Sequence, residues 1–235
     1  LIREIVLSAT YRQDSRVAPE KQAKDPDNRW LARGVRRRLT AEQIRDQILA
    51  LSGLLNRQVG GPSVILPELG IGEANITGWA VRQEGAPYRR TLYTFWKRTD
   101  PFPDMITFDS PDRGLCSSQR IQTNTPLQAL NLLNDEIYIE AAGALARRIF
   151  ERYETPRQQI RGAYQHLLFR APAPEKLQLL EQLYEESLLH FERQLDAAGE
   201  LVPESAYDES EKSRIAALCL VANALFNLDE LIVKS

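Results

Sequence analysis

At 235 residues, 43% of them hydrophobic, the chain is long enough to bury a substantial core in one large domain or two small ones. Charged residues make up 26% and nearly cancel to a formal net charge of -2, so no overall positive field exists to hold a nucleic acid. No segment approaches the ~20 consecutive apolar residues that a membrane span needs.

The N-terminal region is predicted to be mostly loop after a short opening helix. Residues 1–7 have the spacing of an amphipathic helix already in progress, without an initiator Met or a cleavage site. We therefore expect the N-terminal part of the domain to be missing. Residues 8–38 are polar and rich in turn formers, which predicts loop with one short helix near residues 19–23.

A longer helix is predicted over residues 41–57. Thr40 stands three residues before Gln43, the spacing of a capping box, and apolar residues recur behind it at helical intervals. The sequence Gly-Gly-Pro at residues 60–62 should end the helix, because glycine tolerates positive φ and proline lacks an N–H donor. Arg45 and Asp46 fall on the polar side, where we expect a solvated face.

The central segment, residues 63–120, follows no regular pattern and is interrupted repeatedly by proline and glycine. Residues 88–96 are β-prone and predict a short strand, although a strand needs a partner. A segment of this length without regular structure is usually functional when it is ordered.

The second half is predicted to be helical. Thr125 followed by Pro126 is a typical helix start, and the apolar stripe behind it runs toward Tyr153 with a break at residues 134–135. Further helices are predicted over residues 156–169, 174–198 and from residue 210 onward.

These patterns predict a mainly α fold. Antiparallel helices joined by short loops form a bundle-like structure, and the irregular centre allows one short strand pair. We expect a single domain over residues 1–235, with a helix and an irregular site-bearing region in residues 1–124 and a helical bundle half in residues 125–235.

Cysteine and histidine usage predicts no metal centre and no cofactor held by this chain. Cys116 and Cys219 are far apart and form no CxxC pair, so they are either two free thiols or one long-range disulfide. His166 and His190 each stand alone on a helical pattern. An imidazole metal site would therefore need ligands from outside the chain.

The region from Arg89 to Gln128 carries the densest mixture of cations, carboxylates and aromatics in the sequence. Guanidinium forks pair with carboxylates, so its arginines either form an internal salt-bridge lattice or point outward to bind carboxylate or sulfate groups of an acidic polysaccharide. Tyr93 and Trp96 could stack on sugar faces, although such aromatics are more often part of a core.

Several strings in chain order resemble one family. They are residues 8–15 (SATYRQDS), 37–39 (RRL) with 44–46 (IRD), 60–64 (GGPSV), 90–98 (RTLYTFWKR), 108–109 (FD), 123–135 (TNTPLQALNLLND) and 227–230 (NLDE). Together they resemble the planctomycete-specific, cytochrome c-associated domain of unknown function (domain of unknown function 1553), of which the chain looks like the C-terminal three quarters or so. Glu136 departs from the family, in which proline frequently follows the LLND string.

The resemblance implies an exported protein that is periplasmic or extracellular. Members look like large multidomain proteins in which haem c is held by a separate domain or partner, often with carbohydrate-binding folds nearby. It therefore implies a cytochrome c domain and a polysaccharide as partners, and periplasmic oxidation or processing of glycans.

Candidate site residues follow from the family-like strings and the arginine-rich region. Asp109 and Asp46 are the candidate proton-transfer groups, although an Asp beside Arg is more often an ion pair with a lowered pKa. The candidate substrate-binding residues are Tyr11, Arg12, Arg90, Tyr93, Trp96, Arg98, Arg120, Asn124 and Gln128.

Three functions are compatible with these residues. The first is a substrate-binding or catalytic module of a cytochrome c-associated oxidoreductase that acts on carbohydrate. The second is a non-catalytic scaffold that docks the cytochrome domain or binds glycan. The third is a glycan hydrolase that uses paired carboxylates, whose separation would decide the mechanism.

Overall fold

The computed structural model describes residues 1–65, 80–81, 86–98, 101–111, 113–114, 116, 118–203 and 206–234, with backbone only at 80, 81 and 86. Helices dominate the described residues, as predicted. They are α1 Ile2–Leu7, α2 Pro19–Lys24, α3 Ala41–Ser52, α4 Pro103–Thr107, α5 Pro126–Asn134, α6 Glu136–Arg152, α7 Pro156–Leu168, α8 Pro174–Arg193, α9 Leu195–Leu201, α10 Glu209–Phe226 and α11 Asp229–Ile232.

In the part of the chain that the structure describes, four very short strands form two pairs. β1 (Arg37–Arg38) pairs antiparallel with β4 (Val233–Lys234), which joins the N-terminal region to the end of the chain. β2 (Ser63–Val64) pairs in parallel with β3 (Ala80–Val81). The remainder of the predicted irregular segment between residues 66 and 85 lies outside the described residues.

The predicted strand over residues 88–96 is wrong. Residues Thr91–Tyr93 form a 3-10 turn, and single bridges flank it, from Asn56 to Arg89 and from Val64 to Thr94. Within the described residues, the segment therefore pairs with neighbouring backbone only through these single bridges. The turn between them prevents the continuous hydrogen-bond ladder that a strand would need.

Helix starts are where local capping chemistry places them. Thr40 and Thr155 each accept a hydrogen bond from the backbone N–H three residues later, and the glutamine at that later position accepts one in return. Asp208 and Glu211 form the same reciprocal pair before α10. The predicted break near residue 135 is confirmed, since Asp135 ends α5 and caps α6.

Two predicted helix ends are wrong. α3 stops at Ser52 rather than at residue 57, because Gly53 takes a φ of 89° and its N–H bonds back to Leu49 and Ala50. The predicted helix over 174–198 is two helices, since Gln194 leaves helical geometry (φ −128°, ψ 70°) between α8 and α9.

The core is built around α10, which packs against α6, α8 and α9. Its side chains Ile215, Val221, Leu225 and Phe226 are all 0% exposed. α3 packs against α6 and presents its other side to the central segment. α1 and α2 contribute no buried residue.

Both cysteines are free thiols. Cys116 is exposed and Cys219 is buried, so the disulfide alternative is not formed. Among the described helices, none combines the length and apolar character needed to cross a bilayer.

Candidate functional site

Arg45 on α3 is fully buried, and its predicted solvated position is therefore wrong. Nη1 donates to the carbonyl of Arg89 at 3.1 Å and to Thr91 Oγ1 at 3.2 Å, and Nη2 donates to the carbonyl of Pro87. The segment around residues 87–91 covers this face of α3 and uses Arg45 to satisfy its backbone oxygens, which have few regular partners.

Asp46, the next residue on α3, is half-buried and holds the same segment from the other side. Its Oδ1 accepts from Thr91 N at 2.8 Å and from Thr91 Oγ1 at 2.7 Å. Among the described residues, none donates a hydrogen bond to Oδ2. Asp46 thus has one oxygen committed to structure and one that can accept from a ligand.

Asp109 organises the loop before α5. It has a φ of 63°, and its carboxylate accepts from Thr123 N and Thr123 Oγ1, both at 2.7 Å. Gln128 is buried and donates to the carbonyl of Thr107 at 2.9 Å and to Thr123 Oγ1 at 3.1 Å. Both residues were predicted as site groups, and both hold this loop in place.

Arg120 and Glu42 form a bidentate ion pair between the central segment and α3. The two guanidinium nitrogens lie 2.7 and 2.8 Å from the two carboxylate oxygens. Burial raises the pKa of Glu42, but the bonds from Arg120, the backbone and Thr40 outweigh it and lower that pKa from 4.5 to about 2. Glu42 therefore stays ionised near neutral pH.

The predicted aromatic residues lie against arginines. The guanidinium of Arg89 is 4.0 Å from the ring centroid of Tyr93, whose hydroxyl accepts from Gly60 N at 2.7 Å. The guanidinium of Arg113 is 4.8 Å from the ring centroid of Trp96. Tyr93 and Trp96 are both half-buried, so neither presents an open stacking platform.

The remaining predicted residues are dispersed. Arg90 is half-buried and donates to the carbonyl of Arg57 at 3.3 Å, whereas Arg98 and Asn124 are exposed. Tyr11 and Arg12 lie in the exposed segment between α1 and α2. None of these five residues lines the cleft described next.

A concavity of about 480 Å³, the α3 cleft, lies between α3 and the Thr91–Tyr93 turn, and the predicted Asp46 is part of its lining. Leu92 projects from the turn with 80% of its surface exposed, and the other lining residues are Leu39, Glu42, Gln43, Asp46 and Gln47. It brings together the predicted Asp46 and, through Glu42, the predicted Arg120. Carboxylates, amides and two leucine side chains suit it to a ligand that offers hydroxyl donors and an apolar face.

Sequence reasoning missed Glu42, Gln43, Gln47 and Leu92. The signal for the first three is present, since residues 42, 43, 46 and 47 share one face of a helix by their i, i+4 spacing. No local signal marks Leu92, because its position depends on the fold of the central segment.

The described residues contain no group of three or more His, Cys, Asp and Glu side chains that could hold a metal ion.

Comparison with known proteins gives one family. The family model described as PSD1, protein of unknown function (DUF1553), matches residues 1–184. No curated protein and no solved structure matches the chain.

Proposed function

Because the chain belongs to the PSD1 family of proteins of unknown function (DUF1553), we propose its function from its own geometry: a carbohydrate-binding module whose site is the α3 cleft. The observation that carries the proposal is the row of Glu42, Gln43, Asp46 and Gln47 on one helix face, opposite the exposed Leu92. Carboxylates and amides accept and donate hydrogen bonds to sugar hydroxyls, while an aliphatic side chain covers the apolar face of a ring.

The charge of the cleft favours a neutral glycan. Two of its lining side chains, Glu42 and Asp46, are acidic. The cations beside them, Arg120 at Glu42 and the buried Arg45 at 3.9 Å from Asp46 Oδ1, do not line the cleft. An acidic polysaccharide would place like charges together at this site, which disfavours binding. A neutral glycan differs from the acidic polysaccharide that the arginine-rich sequence suggests.

The cleft supports binding better than hydrolysis by paired acids. A glycosidase needs a carboxyl group whose raised pKa keeps it protonated as the general acid. Glu42, with its pKa lowered to about 2, is unsuited to that role. Asp46 Oδ1 accepts hydrogen bonds from Thr91, so a shift of the Asp46 side chain toward a substrate would break the contact that holds the Thr91–Tyr93 turn in the cleft wall.

The biological context of the proposal rests on the family resemblance. The module would belong to an exported, periplasmic or extracellular protein and would present glycan to an oxidoreductase. Haem c would be supplied by a separate domain or partner. A scaffold that docks the cytochrome domain without handling glycan is the alternative.

Titration calorimetry with neutral oligosaccharides, cellohexaose and xylohexaose, tests the proposal. We expect Leu92→Ala to weaken binding by about tenfold, because it removes the apolar wall. Asp46→Asn should weaken it similarly while retaining an oxygen that can accept from Thr91. Leu179→Ala is the matched control, since Leu179 is 66% exposed on α8 and lies outside the cleft.

Several outcomes discriminate between the functions. Equal affinity of Leu92→Ala, Leu179→Ala and the unaltered protein would remove the α3 cleft from consideration. Glycan-dependent reduction of added ferricytochrome c would place the binding step in an oxidoreductase. Release of reducing ends that Glu42→Gln abolishes would favour hydrolysis instead.

A further inference from the structure

A second concavity, the junction cleft, lies where the N-terminal segment, the end of α7 and the β1–β4 pair meet. Its volume is about 320 Å³, within the range of ~300–1,000 Å³ typical of ligand pockets. It shares no lining residue with the α3 cleft, and it is lined by Ser15, Arg16, Arg36, Leu168, Arg170, Asp229, Glu230, Val233 and Lys234.

The two acids of the junction cleft are already neutralised by the chain. Glu230 lies 2.9 Å from Arg170 Nη2 and 3.0 Å from Lys176 Nζ, and it also accepts from the Tyr164 hydroxyl at 3.1 Å. Asp229 is paired with Arg36. These contacts leave little acidic capacity for a further cation.

Cations outnumber acids at this site. Four cationic and two acidic side chains line the cleft, and Lys176 approaches Glu230 in addition. Among the described residues, no carboxylate lies within salt-bridge distance of Arg16 or Lys234. Loss of hydration, without a compensating anion, lowers the pKa of Lys234.

We propose that the junction cleft binds a tetrahedral oxyanion, the sulfate or phosphate group of a small ligand. Arg16 and Lys234 supply charge that no described acid satisfies. Arg36 and Arg170 each have Nη2 at an acid and keep further N–H groups as donors. The hydroxyl of Ser15, also in the lining, can donate to an anion oxygen. The concavity is large enough for the anion and part of the group that carries it.

Titration calorimetry at constant ionic strength, balanced with chloride, tests this assignment. The probes are inorganic sulfate, inorganic phosphate, glucose 6-sulfate and glucose 6-phosphate, which separate free anions from sugar esters. We expect saturable binding of at least one probe, weakened at least about tenfold in the double variant Arg16→Gln, Lys234→Gln. The control is Arg161→Gln with Arg193→Gln, which removes the same charge from exposed positions outside the junction cleft.

The comparison of the two double variants decides the outcome. Unchanged affinity in the control and loss in the cleft variant support a specific site. Equal loss in both would show a general charge effect and overturn the proposal, as would the absence of saturable binding to every probe. Circular dichroism of both double variants checks that each remains folded.

Discussion

Arg45, Arg89 and Arg120 direct their guanidinium groups at oxygen atoms of the same chain. Arg45 donates to carbonyls of residues 87 and 89, Arg89 donates to the carbonyls of Gly60 and Pro62, and Arg120 pairs with Glu42. The central segment has few regular backbone partners, so these side chains replace the missing hydrogen bonds. At these positions the arginines stabilise the fold of the central segment.

The Glu42–Arg120 pair predicts a pH-dependent contribution to stability. The pKa of Glu42 is depressed on folding, so the contribution is fully present above the unfolded value of 4.5 and is lost as pH falls toward about 2. Because the pair is partly exposed, solvent screening reduces it, and we expect Glu42→Gln to cost about 1 kcal/mol at pH 7. Urea denaturation at pH 7, 4 and 3 measures the difference.

Glu185→Gln provides the comparison, since Glu185 is exposed on α8. The Glu185→Gln substitution should change the free energy of unfolding by close to zero at every pH. A Glu42→Gln deficit that is as large at pH 3 as at pH 7 would mean that the ion pair is not its source.

Among the elements, helix starts and helix ends differ in how far local sequence predicts them. The starts of α3, α7 and α10 follow from a side chain and a reciprocal partner three residues later. The end of α3 depends on the positive φ of Gly53, whereas the Gly-Gly-Pro at residues 60–62 is the stronger stop signal in the sequence. The separation of α8 from α9 at Gln194 carries no glycine or proline at the break itself.

Two glycine substitutions test the helix geometry with opposite signs. Gly53→Ala should destabilise by about 1–2 kcal/mol, because φ is 89° and a Cβ would lie 2.7 Å from Arg148 Nη1. Gly199→Ala, within α9 and with nothing within 4 Å of the added carbon, should stabilise by about 0.5–1 kcal/mol. Thermal unfolding of the two variants beside the unaltered protein gives both values. Stabilisation by Gly53→Ala would contradict the left-handed end of α3.

On the scale of the whole molecule, burial is uneven along the chain. α10 contacts most of the bundle and buries eleven residues, whereas α1 buries none. Two asparagines tie α10 and the residue after it to α5, since Asn223 donates to the carbonyl of Leu132 at 3.1 Å and Asn227 to that of Ala129 at 3.0 Å. We therefore expect α10 to be the last helix of the bundle to unfold.

Hydrogen exchange measures this difference directly. Amides of α10 should exchange only through global unfolding, more than about a thousandfold slower than those of α1, which no buried contact protects. Mass spectrometry of peptides from the two helices gives the rates under native conditions. Comparable protection of α1 and α10 would show that α1 is packed against a surface that the burial pattern does not reveal.

The mainly α fold, most helix starts and the break near residue 135 were determined by the sequence itself, because capping and apolar periodicity act within one or two turns. Only the tertiary structure decided that Arg45 is buried, that Leu92 and Asp46 line one cleft, and that Arg16 and Lys234 line another. Each of these depends on chain segments more than 40 residues apart. Local spacing sets which face of a helix a side chain occupies, but what covers that face is set by packing.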